Sequence, residues 1–434
     1  MIQLKKYKLS DVATVEISGV DKKNKDGEVT VKLCNFTDVY YNWSITKNME
    51  DSFMVASANA NEIHRFSLKK GQVAFTKDSE TRDDIGIPAY IADDFENVIL
   101  GYHCALITPD ETKVLGAYIN AFMHTSLIQK YFANNASGSG QRYSLSVETM
   151  ERMPLFLPSL EEQKRVADLF TNLNSKIALN RQINQNLEAL AKQLYDYWFV
   201  QFDFPDENGK PYKSSGGEMK YDAKLKKEIP IDWHCGNLFE IANFTNGLAC
   251  QNYRPKEEEH ALPVIKIREM RDGFTNDTEF VRTNIPANVK VYNGDILFSW
   301  SASLEVMLWA YGDGGLNQHI FKVTPANGFP KSFYYYQLLN YVDVFKHIAD
   351  ARKTTMGHIT QDHLLQSTIA IPNDVEIAYK LEKRIAPIFE AIINNQVEIS
   401  DLIKQRDELL PLLMNGQVNF DLLVGTLLYY YIRV

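Results

Sequence analysis

The chain has 434 residues, 45% of them hydrophobic and 23% charged, with a formal charge of −9. That length suggests two to four domains with sizeable cores, and the net negative charge argues mildly against nucleic-acid binding, although whole-chain charge is a poor guide where acidic helices and basic clefts share one chain. No charged-then-apolar leader opens the sequence, and no apolar run reaches the roughly 18 residues of a membrane span; the C-terminal LLVGTLLYYYIRV comes nearest and is too short.

In chain order, an aromatic followed by a short polar turn and an apolar pair opens the protein at Tyr7–Ala13 and recurs at Trp233–Ile241. VTVKLCNFTD (Val29 to Asp38) matches PVIKIREMRD (Pro263 to Asp272), each a β-branched run with one lysine, Lys32 or Lys266. LKKGQVAFTK (Leu68 to Lys77) matches VYNGDILFSW (Val291 to Trp300), with Gly71 and Gly294 as tight turns into buried strands. YHCALITP (Tyr102 to Pro109) matches QHIFKVTP (Gln318 to Pro325), setting His103 under His319. Helical stretches follow near Gly116 to Phe132 and Lys331 to Asp350, and then polar loops, ASGSGQRYSLS (Ala136 to Ser146) and ARKTTMGHIT (Ala351 to Thr360). Each copy runs on through a short helix and an apolar strand ending at Pro158 or Pro372.

A long helix comes next. From Ser159 to about Phe202 there is no Pro or Gly, and Val166, Leu173, Asn180, Leu187 and Leu194 recur every seven residues, with Phe170, Ile177, Ala191 and Trp198 in the neighbouring stripe. This is an a/d-type seam broken once by a polar Asn. Leu381, Ile388, Asn395, Leu402 and Leu409 repeat it, Leu381 standing 215 residues after Val166 and Asn395 215 after Asn180. A period this long is a tandem duplication of a whole domain and not a solenoid. The predicted boundaries are a first globule at 1–158, a long helix at 159–202, a Pro/Gly/Ser-rich exposed linker at 203–232, a second globule at 233–372, a second long helix at 373–415 and an apolar tail at 416–434 that matches nothing in the first copy.

The segments SGSGQRYSLS (Ser137 to Ser146), PLFLPSLEEQKRVADLF (Pro154 to Phe170), the run from Lys176 through Met219 and LLPLLMNGQV (Leu409 to Val418) resemble the specificity subunits of Type I restriction-modification systems. The resemblance covers nearly the whole chain. It implies an α+β fold with two tandem strand-rich target recognition domains, each followed by a long α-helix, the helices pairing as an antiparallel coiled coil with pseudo-two-fold symmetry. It also implies a function without catalysis in this chain: recognition of double-stranded DNA on behalf of two methyltransferase (modification) subunits and motor-nuclease (restriction) subunits, in defence against foreign DNA. No cofactor is expected on this chain; S-adenosylmethionine, ATP and Mg2+ are expected on the partner subunits.

The physical chemistry of the sequence agrees with that implication. A helix of about 40 residues is roughly 60 Å long, a stiff spacer, and a dyad-related reader spans half-sites about 34 Å apart per turn of DNA. The target expected is bipartite, and non-palindromic because the two globules differ where they would touch bases. An Asn in each seam suits register control, and Asn180 and Asn395 are expected to face each other. Candidate DNA contacts are Arg142 and Ser144 in the Gly/Ser-rich loop, Lys77 and Arg82 after the buried strand, and Lys32; in the second copy they are Lys353, Thr354, Thr355 and His358 in the loop, Ser299 and Trp300 after the strand, and Lys266. Arg and Lys read guanine best, whereas Ser and Thr position phosphates. Lys32 and Lys266 are equally suited to guarding edge strands, and His103 and His319 read as satisfied core histidines.

Enzyme motifs are missing. The sequence holds neither Asn-Pro-Pro-Tyr nor Asp-Pro-Pro-Tyr for amino-methyl transfer, and no phosphate-binding G-x-x-x-x-G-K-[ST] loop. Cys34, Cys104, Cys235 and Cys250 are scattered without a C-x-x-C pair, which reads as reduced thiols in a cytoplasmic protein and not as a zinc site. The alternative is a coiled-coil scaffold whose globules bind protein partners, a reading that the acidic charge and the EEQ, LE and DE clusters of the helices support.

Overall fold

The computed structural model describes residues 4–138, 140–257, 259–351 and 358–417. Two compact units emerge: the first is Met1–Ile177 with the chain from Leu402 onward, the second Ala178–Asp401. Both long helices therefore contribute to both units, and the first unit is built from two separate stretches of sequence while the second is one.

In the first unit the strands are β1 (Lys5–Lys8), β2 (Ala13–Ile17), β3 (Val29–Cys34), β4 (Ser44–Ile45), β5 (Met54–Ala58), β6 (Val73–Thr76), β7 (Asp78–Ser79), β8 (Pro88–Ile91), β9 (Val98–Leu100), β10 (Cys104–Pro109), β11 (Ser137–Gly138), β12 (Tyr143–Ser144) and β13 (Pro154–Leu157). The main sheet has the order β2-β10-β6-β8-β4, a smaller one β5-β3-β9, and β1 pairs with β13. Both faces of the main sheet are covered, which is why its central strands read as unbroken apolar runs. Val73 and Phe75 of β6 and Ala105 and Ile107 of β10 enter one core, while Ala74, Cys104 and Leu106 enter the other. The first core also receives Val166, Ala167 and Phe170 from the first long helix and Leu410, Leu413 and Met414 from the second.

The second unit repeats the plan. Its strands are β14 (Met219–Asp222), β15 (Lys227–Pro230), β16 (Trp233–Gly236), β17 (Ala242–Asn246), β18 (Ala261–Ile265), β19 (Phe280–Arg282), β20 (Lys290–Val291), β21 (Ile296–Ser299), β22 (Glu305–Leu308), β23 (Gly314–Leu316), β24 (Ile320–Pro325) and β25 (Ile369–Pro372). The order β17-β24-β21-β22 matches the start of the first unit's main sheet, the parallel pair β18–β23 matches β3–β9, and β16–β25 matches β1–β13. Gly71 and Gly294 both turn the chain two residues before the central strand with φ of +95° and +91°, a conformation that glycine adopts without a Cβ penalty.

Residues 203–232 differ from the exposed linker expected from their composition. The hairpin β14–β15 lies here, Ile229 is buried, and Phe204 is buried between Tyr212 and Trp233 at ring separations of 4.7 and 5.7 Å. Asp203 accepts hydrogen bonds from the backbone and hydroxyl of Ser214. The Pro, Gly and Ser residues shape turns of a folded segment, and three aromatic rings supply the apolar area that composition alone undervalues. The tail expected at 416–434 lies outside the described residues from 418 on.

The first long helix spans Leu160–Tyr195 and continues as a π-helical turn through Val200; the second spans Glu376–Met414. Within the second unit they run antiparallel. Asn180 donates to Glu398 at 2.7 Å, Asn395 donates to Asn184 at 2.9 Å, and Asn184 donates to the Ile392 carbonyl at 3.2 Å. Asn395 thus faces Asn184 and not Asn180, because in this antiparallel register positions 180 and 395 are about one helical turn out of step. Asn184 belongs to the stripe of Phe170, Ile177, Ala191 and Trp198, which is more fully buried than Leu173, Leu187 and Leu194. In the first unit, Arg406 donates to Asn174 at 3.1 Å, and Leu173 and Leu409 pack against the core already described. Val166, Leu381 and Leu402 are buried, and Ile388 is half-buried against the second unit's core.

Replacing Asn184 with Leu removes the acceptor of Asn395 and should cost roughly 1–2 kcal/mol. Adding Asn395→Leu should recover most of it, since both polar partners are then gone. Urea denaturation of the two single variants and the double variant measures the coupling; simple additivity of the two losses would refute the pairing.

Candidate nucleic-acid interface

The Gly/Ser-rich loop of the first unit is not free-standing. Gly138 opposes Tyr143 in a short β11–β12 hairpin, and β12 pairs with β7, setting Ser144 against Asp78. A Cβ at Gly138 would lie 2.1 Å from the Arg142 carbonyl, so this close approach requires glycine. The hairpin delivers Arg142 to Asp78, 64 residues away in sequence.

Asp78 is the hub of this cluster. Its carboxylate lies 2.6 Å from the Lys77 ammonium, 2.6 Å from His103 Nδ1 and 3.4 Å from Arg142 Nη2. Burial works against its charge, but hydrogen bonds from Lys77, His103 and Ser144 outweigh it and hold its pKa down at about 2. Arg142 Nη2 also lies against the His103 ring. Aromatic rings interleave with the cations: Lys77 sits 5.5 Å from the Tyr102 ring centre, and Arg82 5.2 Å from that of Tyr143. Tyr102 is exposed, and its ring meets that of His103 at 3.8 Å.

Of the first unit's expected contacts, Arg142, Ser144, Lys77 and Arg82 are brought together. Lys32 is placed elsewhere, on the middle strand of β5-β3-β9 and not at an edge, with Glu50 and Asp51 at 3.4 and 3.1 Å. His103 is not a core histidine. It precedes β10 at a φ of +74° and is partly exposed, serving the Asp78 cluster. Asp78 itself escaped sequence reading; the available signal was an acid directly after Lys77, where the buried strand ends.

The second unit builds the same frame from different side chains. In the first, the Lys77 amide donates to the His103 carbonyl at 2.9 Å and the Leu145 amide donates to the Lys77 carbonyl at 2.9 Å. In the second, the Trp300 amide donates to the His319 carbonyl at 3.2 Å and the Ile359 amide donates to the Trp300 carbonyl at 3.0 Å. Trp300 therefore occupies the place of Lys77. Its indole N–H donates to Asn246 at 3.0 Å, and its ring lies 5.4 Å from His319 and 5.7 Å from the exposed His358. Ser299 is fully buried, and its hydroxyl is committed to the turn, donating to the Ser303 carbonyl and accepting from the Glu305 amide. A serine at the end of a buried strand has the turn as its nearest partner. Lys266 is the N-cap of the helix Ile267–Asp272 and pairs with Glu279 at 2.6 Å, apart from the Trp300 group. Lys353, Thr354 and Thr355 lie outside the described residues.

Comparison with known proteins bears on both units. The family described as "Type I restriction modification DNA specificity domain" matches residues 1–189 and again 230–409. The chain is similar to the Type I restriction enzyme HindI specificity subunit of Haemophilus influenzae, at 23% identity over 81% of this chain and 87% of that protein. It is also similar to the Type I restriction enzyme MjaIX specificity subunit of Methanocaldococcus jannaschii, at 25% identity over 71% of this chain and 70% of that protein. The solved structure of a Type-I restriction-modification system S subunit from M. genitalium shares the fold, with a TM-score of 0.58 at 13% identity over 95% of this chain and 96% of that one.

The Asp78 carboxyl titrates below its ordinary value of 3.8, so its network stabilises fully above about pH 4 and loses that contribution as pH falls toward 2. Between pH 5 and 2 the wild type should lose roughly 2 kcal/mol more stability than Asp78→Asn, which lacks the titrating group. Urea titrations at several pH values read this difference; parallel losses in both proteins would count against the hub.

Proposed function

The chain belongs to the Type I restriction modification DNA specificity domain family, and from that premise we propose that it is the DNA sequence-recognition subunit of a Type I restriction-modification complex. The observation that carries this reading is the backbone frame around Lys77 and Trp300, kept in both units and loaded with different side chains. A shared frame with exchanged side chains suits a pair of readers for two different short elements, hence a bipartite, asymmetric duplex site. The exposed cations Arg82 and Arg142 are suited to phosphate and base contacts. The scaffold alternative is not favoured, because both halves of the chain match a DNA specificity domain.

This chain recognises and does not catalyse. Methyl transfer belongs to modification subunits, two per complex in this reading, and translocation with cleavage to restriction subunits. S-adenosylmethionine, ATP and Mg2+ are used by those partners. No helix among the described residues is long and apolar enough to cross a membrane, and we place the assembly in the cytoplasm, where its DNA target is. Docking of a modification subunit is supported by an exposed apolar stripe on the first long helix, Leu179, Ile183, Leu190 and Tyr197, of which the last three lie about 100° round the helix from the buried stripe. Ile183, Leu190 and Tyr197 stand seven residues apart, the spacing another helix would pack against.

Modified-base mapping of DNA from cells expressing the chain with its modification subunit tests the role. A bipartite, asymmetric methylated motif that vanishes when this chain is omitted is the expected result, and binding to duplex DNA should weaken steeply with salt. A stable pair of proteins with salt-insensitive DNA binding and no motif would sink the reading. The double substitution Leu190→Glu and Tyr197→Glu should abolish co-purification with the modification subunit while lowering the denaturation midpoint only slightly, because the two residues are 47% and 38% exposed.

A further inference from the structure

We infer that Arg142, held by Asp78, reads a guanine in the half-site bound by the first unit, and that Asp78 is the residue that positions it. The inference rests on the recognition role proposed above and assigns a base and a positioning residue within it.

The argument starts from which cations are available. Lys77 is only 12% exposed in its side chain, and its ammonium is tied to Asp78 at 2.6 Å, so it serves the hub and not the groove. Arg142 is 56% exposed, and its Nη2 is held by Asp78 and lies against the His103 ring. Nε and Nη1 bond no described residue. The guanidinium is thus anchored on one side and available on the other. Asp78 is 8% exposed, too buried to be a base reader itself. Guanine offers two acceptors, N7 and O6, on its major-groove edge, and the free Nη1 and Nε donors of the held guanidinium can bond to that edge. Anchoring the fork beforehand reduces the rotamer freedom lost on binding.

The second unit supplies the contrast. At the place of Lys77 stands Trp300, and the residue after it, in the place of Asp78, is the buried Ser301. Neither is a carboxylate or a cation. This guanine requirement therefore belongs to one half-site, and the other half-site is an internal control in the same DNA molecule.

The test is methylated-motif mapping with the full chain and its modification subunit, scored at each base pair of both halves. Arg142→Gln should reduce the preference for guanine at one position of one half by on the order of 10- to 100-fold, with the other half unchanged. Asp78→Asn should relax the same position to a smaller extent, and Asp78→Glu should restore part of it. A role of Asp78 in folding alone would weaken both halves without changing any base preference. Trp300→Ala should alter only the opposite half. The inference is overturned if Arg142→Gln leaves every base preference intact, if it weakens all sequences uniformly as loss of a phosphate contact would, or if the affected half is the one altered by Trp300→Ala. If the wild-type chain directs no methylation, the recognition role itself fails and this inference falls with it, an outcome distinct from a wild-type motif that Arg142→Gln does not change.

Discussion

A helix of 36 residues and one of 39, each with an apolar stripe along its length, cannot remain uncovered in water, and the rest of the structure follows from that constraint. Neither helix finds its cover in one place. Val166 and Phe170 of the first go into the core of the first unit together with Leu410 and Leu413 of the second. Ala191, Tyr195 and Trp198 go into the core of the second unit together with Ala378, Leu381 and Ile385. Each strand-rich globule is completed by pieces of both helices, so helix burial and globule folding are one event in each unit.

Polar residues inside the stripes set the alignment that apolar packing leaves loose. Leucines separated by one helical turn are nearly interchangeable as packing partners, whereas an asparagine side chain must find both a donor and an acceptor. Asn184 does so with Asn395 and the Ile392 carbonyl. A slip by one turn would leave those groups unpaired at a cost of 1–3 kcal/mol on the order of magnitude usual for buried polar atoms.

The two strand-rich frames divide what is kept from what varies. Main-chain bonds at Lys77 and at Trp300 depend on no side chain, so an exchange from lysine to tryptophan leaves the strands in place while inverting the chemistry of the surface, from a cation tied to a carboxylate to an indole beside imidazoles. Arg142 is prominent in sequence because a Gly/Ser-rich stretch surrounds it. Where its guanidinium is held depends on Asp78, whose one local mark is an acid directly after Lys77 at the end of the buried strand.

The duplication, the two long helices, the Gly71 and Gly294 turns and the pairing of Lys77 with Trp300 and His103 with His319 were all determined by the sequence itself, because periodicity, turn chemistry and repeated spacing are properties of neighbouring residues. Composition misled at 203–232, where Phe204 and Trp233 lie far enough apart in sequence that their stacking leaves no periodic trace. The partner of Asn395, the removal of Ser299, Lys32 and Lys266 from the Arg142 and Trp300 groups, and the gathering of Lys77, His103 and Arg142 on one carboxylate were decided only by the tertiary structure. His103 and Arg142 stand 25 and 64 residues from Asp78, and strand pairing, which acts across the chain and not along it, is what brings them within hydrogen-bonding distance.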